Sequence, residues 1–340
     1  MSTPFGQPGT VLAPPGYRIG DWEVTGFIAS GSWGSVHSAR RLGAAPDGAP
    51  TRAALKVMST SGLAPRNARE LAEAADREVA FSQETTHPHL IRMYGSSTVH
   101  DPERPELDGA VVLVMERAEH SLHDLLGDPG PTFAEAGRYL VQIAEALAHL
   151  HAAGWVHGDL KPGNVLLMAD GTVRLADFGL TTQIEGTHGY APPLGSPDYL
   201  PPERRTEPVS ERGIATRPGL DVWAFGVTAN QLLAGGALPF PGSTPAARSA
   251  AAQEYAAGRG RLHLSPDLSP AWQAVLTDCL TADPARRERT TMAGLLPRIR
   301  AAAAEGLPRR RSPALRVAAG TVLVLAAAAA TALGRVLPIS

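Results

Sequence analysis

The periodicity of the chain changes once along its length, and that change limits the architectures open to it. In roughly the first third, strand-length runs sit between glycine and proline turns. Residues 22–28 and 35–41 flank a glycine-rich turn, 52–58 supply a third strand after the Gly- and Pro-containing connection 42–50, and the unbroken apolar run 111–115 suits a buried strand. One helical stretch, 67–85, lies among them. Further on, apolar residues recur every three to four positions over 133–153, 221–233 and 271–280, the spacing of helices with one buried face, and 165–168 reads as a short apolar strand. A small strand-rich part followed by a larger helical part predicts an α+β chain of two lobes, 21–117 and 118–300, with a cleft between them. No internal repeat is evident.

A length of 340 residues leaves room for both lobes, a buried core and tails. The net charge of −2 offers no global attraction to nucleic acid, and none is expected as a partner. Cys279 is the single cysteine, which excludes an intrachain disulfide or a multi-cysteine zinc site and suits a reducing compartment; it reads as a buried helical residue.

Residues 1–20 are rich in Pro, Gly and Thr and lack a basic start before an apolar core, so they read as a flexible tail and not as a signal peptide, with order beginning near Asp21. Residues 301–313 read as an Ala, Pro and Arg linker, and 317–333 is an uncharged apolar run. As a helix that run is roughly 25 Å long, short of a hydrocarbon core of roughly 30 Å. Snorkelling of Arg316 and Arg335 stretches the candidate transmembrane helix to 314–337, with 338–340 as a C-terminal tail; a soluble alanine-rich helix is the alternative. Arg309, Arg310, Arg311 and Arg316 precede the run and Arg335 follows it, so the positive-inside rule predicts a single-pass anchor in the cell membrane with residues 1–313 in the cytoplasm. The few residues after Leu333 leave no room for an extracytoplasmic sensor domain in this reading.

Lysine is nearly absent. Only Lys56 and Lys161 interrupt a set of 31 basic residues that are otherwise arginine. Codon bias explains the scarcity but not the two positions. An ammonium is a compact point charge with rotatable donors, whereas a guanidinium is a wide planar fork. Ile28-Ala29-Ser30-Gly31-Ser32-Trp33-Gly34-Ser35-Val36 is a glycine-rich turn where absent side chains let backbone N–H groups approach phosphate oxygens. Lys56, on the following strand, is placed to reach phosphates under that turn. Its buried charge calls for a carboxylate, expected from Glu78 in the next helix; Glu70, Glu73 and Glu84 read as surface charges. Asp159 and Asn164, five apart in the loop His157-Gly158-Asp159-Leu160-Lys161-Pro162-Gly163-Asn164, offer a carboxylate to accept a hydroxyl proton and an amide oxygen for a hard cation. Asp177-Phe178-Gly179 adds a second oxygen ligand. Each motif alone has a plainer reading as a turn or a cap; their order and spacing together do not.

In these motifs, together with His87-Pro88-His89, Leu113-Val114-Met115-Glu116, Gly195 to Glu203 and Asp221-Val222-Trp223-Ala224-Phe225-Gly226, the chain resembles a eukaryotic-type protein serine/threonine kinase of the bacterial, membrane-anchored kind over residues 21–300. The resemblance implies a bilobal protein-kinase-like fold, ATP and Mg²⁺ (with Mn²⁺ as an alternative) as cofactors, and protein substrates with Ser or Thr acceptors, autophosphorylation included. It implies that Ile28, Ala29, Ser30, Gly31, Ser32, Trp33 and Gly34 cover the nucleotide and that Lys56 engages its phosphates and Glu78. Val36, Ala54 and Leu166 would wall the adenine, Met115 would stand behind it, and Glu116 to Ala118 would form the hinge. Asn164 and Asp177 would hold the metal, Asp159 would orient and deprotonate the acceptor hydroxyl, and Lys161 would steady the transferring phosphoryl group. Ser196 would lie near Asp159 and Lys161, Glu203 would pair with Arg287 or Arg289, and Asp221 would sit beneath the catalytic loop.

The chain departs from the family pattern at three places. Ala29 stands at the first glycine of the turn, Pro201 replaces an alanine before Pro202-Glu203, and Gly158 replaces the arginine that in many members grips a phosphorylated activation loop. Phosphorylation of Thr181, Thr182 or Thr187 is therefore expected to switch activity less than in relatives carrying that arginine. Two other readings stay open on the sequence: a pseudokinase or scaffold, and, through His157-Gly158-Asp159-Leu160, a small-molecule phosphotransferase.

Overall fold

The computed structural model describes residues 11–31, 34–44, 49–127, 130–184, 188–191, 195–208, 210 and 213–305. In the first lobe, strands β1 (Arg18–Ile19), β2 (Trp22–Gly31), β3 (Gly34–Arg41) and β4 (Arg52–Met58) precede helix α1 (Pro65–Glu84) and strands β5 (Met93–Thr98) and β6 (Val111–Met115). They make one antiparallel sheet in the order β1-β2-β3-β4-β6-β5. Side chains of a strand alternate between faces, and here both faces are covered. Ala53, Leu55, Val57, Val112 and Val114 pack outward in one cluster, while Ala54, Met58, Val111, Leu113 and Met115 join the central core toward α1 and the cleft. That alternation aims Lys56 inward between Ala54 and Met58.

Residues 11–20 correct the expected tail, because they belong to this lobe. Ala13 and Ile19 are buried in the outer cluster, with Val11 and Tyr17 packed beside them. Their Pro and Gly content serves turns and not disorder: Gly16 and Gly20 lie at φ 86° and 53°, which lets β1 fold back onto Trp22 and Glu23. The Tyr17 hydroxyl donates to Asp101 at 2.7 Å. The segment is pinned at its start by Ser35, whose hydroxyl donates to the Val11 carbonyl at 2.6 Å. His37 Nε2–H then donates to that same hydroxyl oxygen at 2.8 Å.

His37 is fully buried, its Nδ1 has no hydrogen-bond partner, and burial pulls its pKa below the ordinary 6.5. The unfolded chain therefore binds this proton more readily than the folded one, so the contribution is complete above pH 6.5 and shrinks as the pH falls below it. From this residue the unfolding free energy is expected to fall between pH 7.5 and 5.5 by at most about 1.4 kcal/mol per pH unit, read as a drop in melting temperature. In His37→Gln that part of the slope should vanish in the same thermal scans.

The second lobe opens with β7 (His120–Ser121), α2 (Phe133–Ala152) and β8 (Trp155–Val156). A reciprocal cap starts α2: Thr132 accepts from Glu135 N–H while the Glu135 side chain accepts from Thr132 N–H. Strands β9 (Val165–Leu167), β10 (Val173–Leu175), β11 (Thr182–Gln183), β12 (Gly189–Ala191) and β13 (Ile214–Thr216) line the cleft side, followed by α3 (Gly219–Leu233), α4 (Pro245–Ala256), α5 (Pro270–Cys279), α6 (Pro284–Glu288) and α7 (Met292–Ala304). Helix α3 is buried nearly throughout, its polar Asp221, Thr228, Asn230 and Gln231 included, so it is the axis of this lobe. Cys279 is a buried helical residue.

The expected linker is also corrected. Helix α7 continues to Ala304 because Ala302 is fully buried and Ala303 packs against Gly137 of α2. The candidate span 314–337 lies outside the described residues; among the described ones no helix is long and apolar enough to cross a membrane. The lobes are tied directly, Ile91 N–H donating to Leu175 O at 2.8 Å and Leu175 N–H to His89 O at 2.9 Å.

Candidate active site

The loop between β8 and β9 is shaped from beneath by Asp221 in the first turn of α3. This fully buried carboxylate accepts from His157 N–H at 2.8 Å and from Gly158 N–H at 2.9 Å, and His151 Nε2 lies 2.9 Å from it. Burial pushes the Asp221 carboxyl up, but hydrogen bonding and charge from His151 prevail and hold it below the usual range. Gly158 sits at φ 86°, a conformation that L side chains rarely adopt. The buried His157 accepts from Asp159 N–H on Nδ1 at 3.3 Å, which leaves its Nε2–H to donate to Ala176 O at 3.2 Å.

On this platform the polar groups converge. Lys161 Nζ donates to Asp159 Oδ2 at 2.6 Å and to Ser196 Oγ at 2.8 Å, and Ser196 N–H donates to Asp159 Oδ1 at 3.1 Å. Asn164 Nδ2 donates to Asp159 O at 2.8 Å and to Asp159 Oδ2 at 3.1 Å. Both amide hydrogens being directed at Asp159, the Asn164 side-chain oxygen is the group left to act as a cation ligand.

Lys56 meets Asp177 from the other lobe, Nζ to Oδ1 at 2.7 Å. This corrects the expected Lys56–Glu78 ion pair. Asp177 is the one non-glycine with positive φ among the described residues, at 66°, and its turn carries the carboxylate to Lys56. Glu78 Oε1 accepts instead from Phe178 N–H at 3.0 Å, so its carboxylate acts on Lys56 through space. Burial lowers the Lys56 pKa, yet Asp177 and Glu78 outweigh it and the ammonium ends above its ordinary range. For Asp177, burial raises the pKa and Lys56 more than reverses it, leaving the group below the carboxylate range. Burial dominates at Glu78 and pushes it up. Phe178 is buried against Phe81 at 4.9 Å and His157 at 5.7 Å, which fixes the turn from the side of α1.

Between these two groups lie apolar surfaces. Ala54 and Met115 are buried partners across the β4–β6 ladder, and Val36, Ala118 and Leu166 are half-buried against the same core. Glu116 N–H donates to Arg92 O at 2.9 Å, and its carboxylate pairs with Arg174. Ile28, Ala29, Ser30 and Gly31 are exposed on the arm of the turn in β2; Ser32 and Trp33 lie outside the described residues. Gly34, at φ 140°, is required as glycine because a Cβ there would collide with the Val57 carbonyl. Hard oxygen donors from Asp177 and Asn164 beside a cationic Lys56 are the donor set a magnesium–nucleoside polyphosphate needs, and the residues present fit that group.

Arg287, buried and inside α6, is the partner of Glu203; it also donates to Gly219 O at 3.1 Å and Thr281 O at 2.7 Å. Several contacts of the segment around Ser196 were not foreseen. Arg248 of α4 grips Asp198 through Nε and Nη2, each at 2.7 Å, and the Tyr199 hydroxyl donates to Gln231 at 2.6 Å. These partners are 50 and 32 positions apart in the chain, so no local pattern announces them.

The family model of the protein kinase domain matches residues 22–296. The chain belongs to the protein kinase domain family. Among curated relatives, a carbon catabolite-derepressing protein kinase of Candida albicans is 31% identical over 67% of this kinase-family chain and 34% of its own length. A CBL-interacting protein kinase of Oryza sativa subsp. japonica is 33% identical over 70% of this chain and 50% of its own. A non-receptor tyrosine-protein kinase of Homo sapiens is 33% identical over 77% and 37%. The chain spans about a third of the length of the first curated relatives it matches.

Proposed function

We propose that this chain is a protein serine/threonine kinase that transfers the γ-phosphate of ATP to protein hydroxyls. The observation that carries the reading is the hydrogen-bonded triangle of Asp159, Lys161 and Ser196, facing the Lys56–Asp177 pair across one cleft. Lys56 orients the nucleotide phosphates, and Val36, Ala54, Met115, Glu116, Ala118 and Leu166 seat the base. Mg²⁺, or Mn²⁺ in its place, would be held by Asn164 and Asp177 and would neutralise charge on the phosphates. Asp159 aligns the acceptor hydroxyl and takes its proton as the new O–P bond forms and the bond to ADP breaks. Lys161 balances the charge that moves during transfer. The stretch Asp159-Leu160-Lys161-Pro162 resembles the serine/threonine type more than the tyrosine type, which favours Ser or Thr as acceptor. Incubation with γ-labelled ATP, Mg²⁺ and a generic protein acceptor, beside Asp159→Asn, tests this: label on serine or threonine supports it, and label on tyrosine alone or on no protein contradicts it.

The same reading places the chain in bacterial signalling, anchored in the cell membrane by 314–337 with the kinase domain cytoplasmic. The apolar run and its flanking arginines support that placement. Fractionation with and without residues 314–340 tests it, a full-length chain in the soluble pool being the contrary result.

Phosphate on the activation segment has one partner fewer here, because Gly158 stands where the gripping arginine would be and its φ of 86° suits glycine. Thr181 Oγ1 already donates to His157 O at 3.4 Å, and Thr187 lies outside the described residues. Replacing Thr181, Thr182 and Thr187 together by alanine is expected to change the initial rate by no more than about fivefold, the scale of an exposed ion pair near 1 kcal/mol. Protein that is inert until phosphorylated there would contradict this.

A further inference from the structure

Gly195 to Glu203 is the segment that the kinase resemblance implies docks the peptide acceptor, and between it and α3 the chain makes a detour that none of the roles above uses. After the short 3-10 helix Pro202–Arg205, Ser210 and Gly213 close on each other, N–H to carbonyl in both directions at 2.9 and 3.0 Å. The chain then runs as β13 alongside β12, with Gly189 opposite Thr216, Tyr190 opposite Ala215 and Ala191 opposite Ile214. Strand β12 belongs to the stretch that leads from Asp177 to Ser196.

The same β13 is gripped by Arg204. Its Nη1 donates to Ala215 O at 2.7 Å and its Nη2 to Thr216 Oγ1 at 3.1 Å, with Glu207 as counter-charge at 3.2 Å. Arg204 is only 8% exposed, and Thr216 is buried as well. A guanidinium is costly to desolvate, and an apolar side chain would fill such a place more favourably unless its directed donors were needed. Nη1 and Nη2 are directed to two consecutive residues of the strand that carries β12, while Nε has no hydrogen-bond partner. With Gly158 at the position of a phosphate-gripping arginine, this backbone ladder joins the β8–β11 pairing and the contacts of Ser196 and Asp198 in holding the stretch.

We propose that Arg204 is a positioning residue for the protein acceptor: it locks β13, and β13 holds β12, which belongs to the same stretch as Gly195 and Ser196 beside Asp159. The proposal rests on the kinase reading above. Arg204→Met keeps the length of the side chain and removes its donors; Arg204→Lys keeps one charged donor; Thr216→Val removes the hydroxyl and preserves shape. In Arg204→Met the KM for a protein acceptor should rise at least about tenfold, because both charge-assisted hydrogen bonds to β13 are lost. The KM for ATP and the acceptor-independent ATPase rate should stay within about twofold. Arg204→Lys should fall between, and Thr216→Val should shift the acceptor KM in the same direction by less. Amide exchange at 189–191 and 214–216 should quicken in Arg204→Met while α2 keeps its protection.

An unchanged acceptor KM would overturn the proposal. So would a parallel loss of ATP affinity, ATPase rate and melting temperature, which would make Arg204 a residue of the general fold. Should the wild-type protein transfer no phosphate, the kinase reading fails separately, and the exchange comparison decides Arg204 alone: unchanged exchange at 189–191 sinks its anchoring role, and faster exchange there upholds it.

Discussion

Asp159→Asn is expected to lower the phosphoryl-transfer rate by about 10²- to 10⁴-fold, the range for a positioned general base, with the KM for ATP close to wild type. The asparagine side chain retains an oxygen to accept from Lys161 Nζ and Asn164 Nδ2, which meet Asp159 Oδ2 at 2.6 and 3.1 Å. What it loses is the charge, the capacity to take a proton and the second oxygen, which accepts from Ser196 N–H at 3.1 Å. Because the loop is set by Asp221 through the N–H groups of His157 and Gly158, the substitution leaves that scaffold in place. Steady-state kinetics with saturating ATP, beside a thermal melt, separates lost chemistry from lost fold. A variant with more than about a tenth of wild-type turnover would remove Asp159 from the chemistry.

Lys56→Met should abolish nearly as much transfer, by about 10²- to 10³-fold, as the cost of losing a preorganised charge on the phosphates. It should also steepen a pH dependence that Glu78, already raised by burial, gives the wild type. In the wild type the Asp177 carboxyl is held below its ordinary 3.8, so its contribution to stability is present above that pH and lost as the pH falls through the folded-state value. Without the ammonium, Glu78 loses the charge that partly offsets its burial and rises further, and burial is left to push Asp177 up as well. A raised carboxyl makes the folded state bind protons more readily than the unfolded chain, so the variant should gain stability as the pH falls from 7 toward 5. Melting temperatures of wild type and variant across that range read the difference directly; parallel curves would contradict the electrostatic account of the site.

The elements that carry this site were legible because their patterns are local. Ala54 and Lys56 share the inner face of β4 by strand alternation, and the helical periods of α1 and α2 stand out over many turns, whereas α3, expected to bury one face, is buried nearly all round. The loop from His157 to Asn164 lies between a helix that ends in a turn at Gly154 and the apolar β9, both readable in the sequence. Residues 11–20 were not legible, because Pro and Gly serve turns as well as they serve tails, and only the apolar cluster beneath Ala13 and Ile19 distinguishes the two. The partner of Lys56 was not legible either. Glu78 and Asp177 are both carboxylates near one buried ammonium, and the choice follows from a single left-handed residue whose conformation spacing does not encode. The grip of Arg204 on β13 depends on a strand of three residues, too short for any periodicity to mark.

A chain with two lysines permits an unusually direct test of the central claim, that Lys56 and Lys161 border one nucleotide-phosphate site. An acyl-phosphate derivative of ATP, which acylates amines beside the bound phosphates, followed by peptide mass spectrometry, reports on both positions at once. The account predicts an adduct on Lys56 or Lys161 that excess ATP with Mg²⁺ suppresses; absence of any ATP-protected adduct on either lysine, in protein that melts cooperatively, would contradict it.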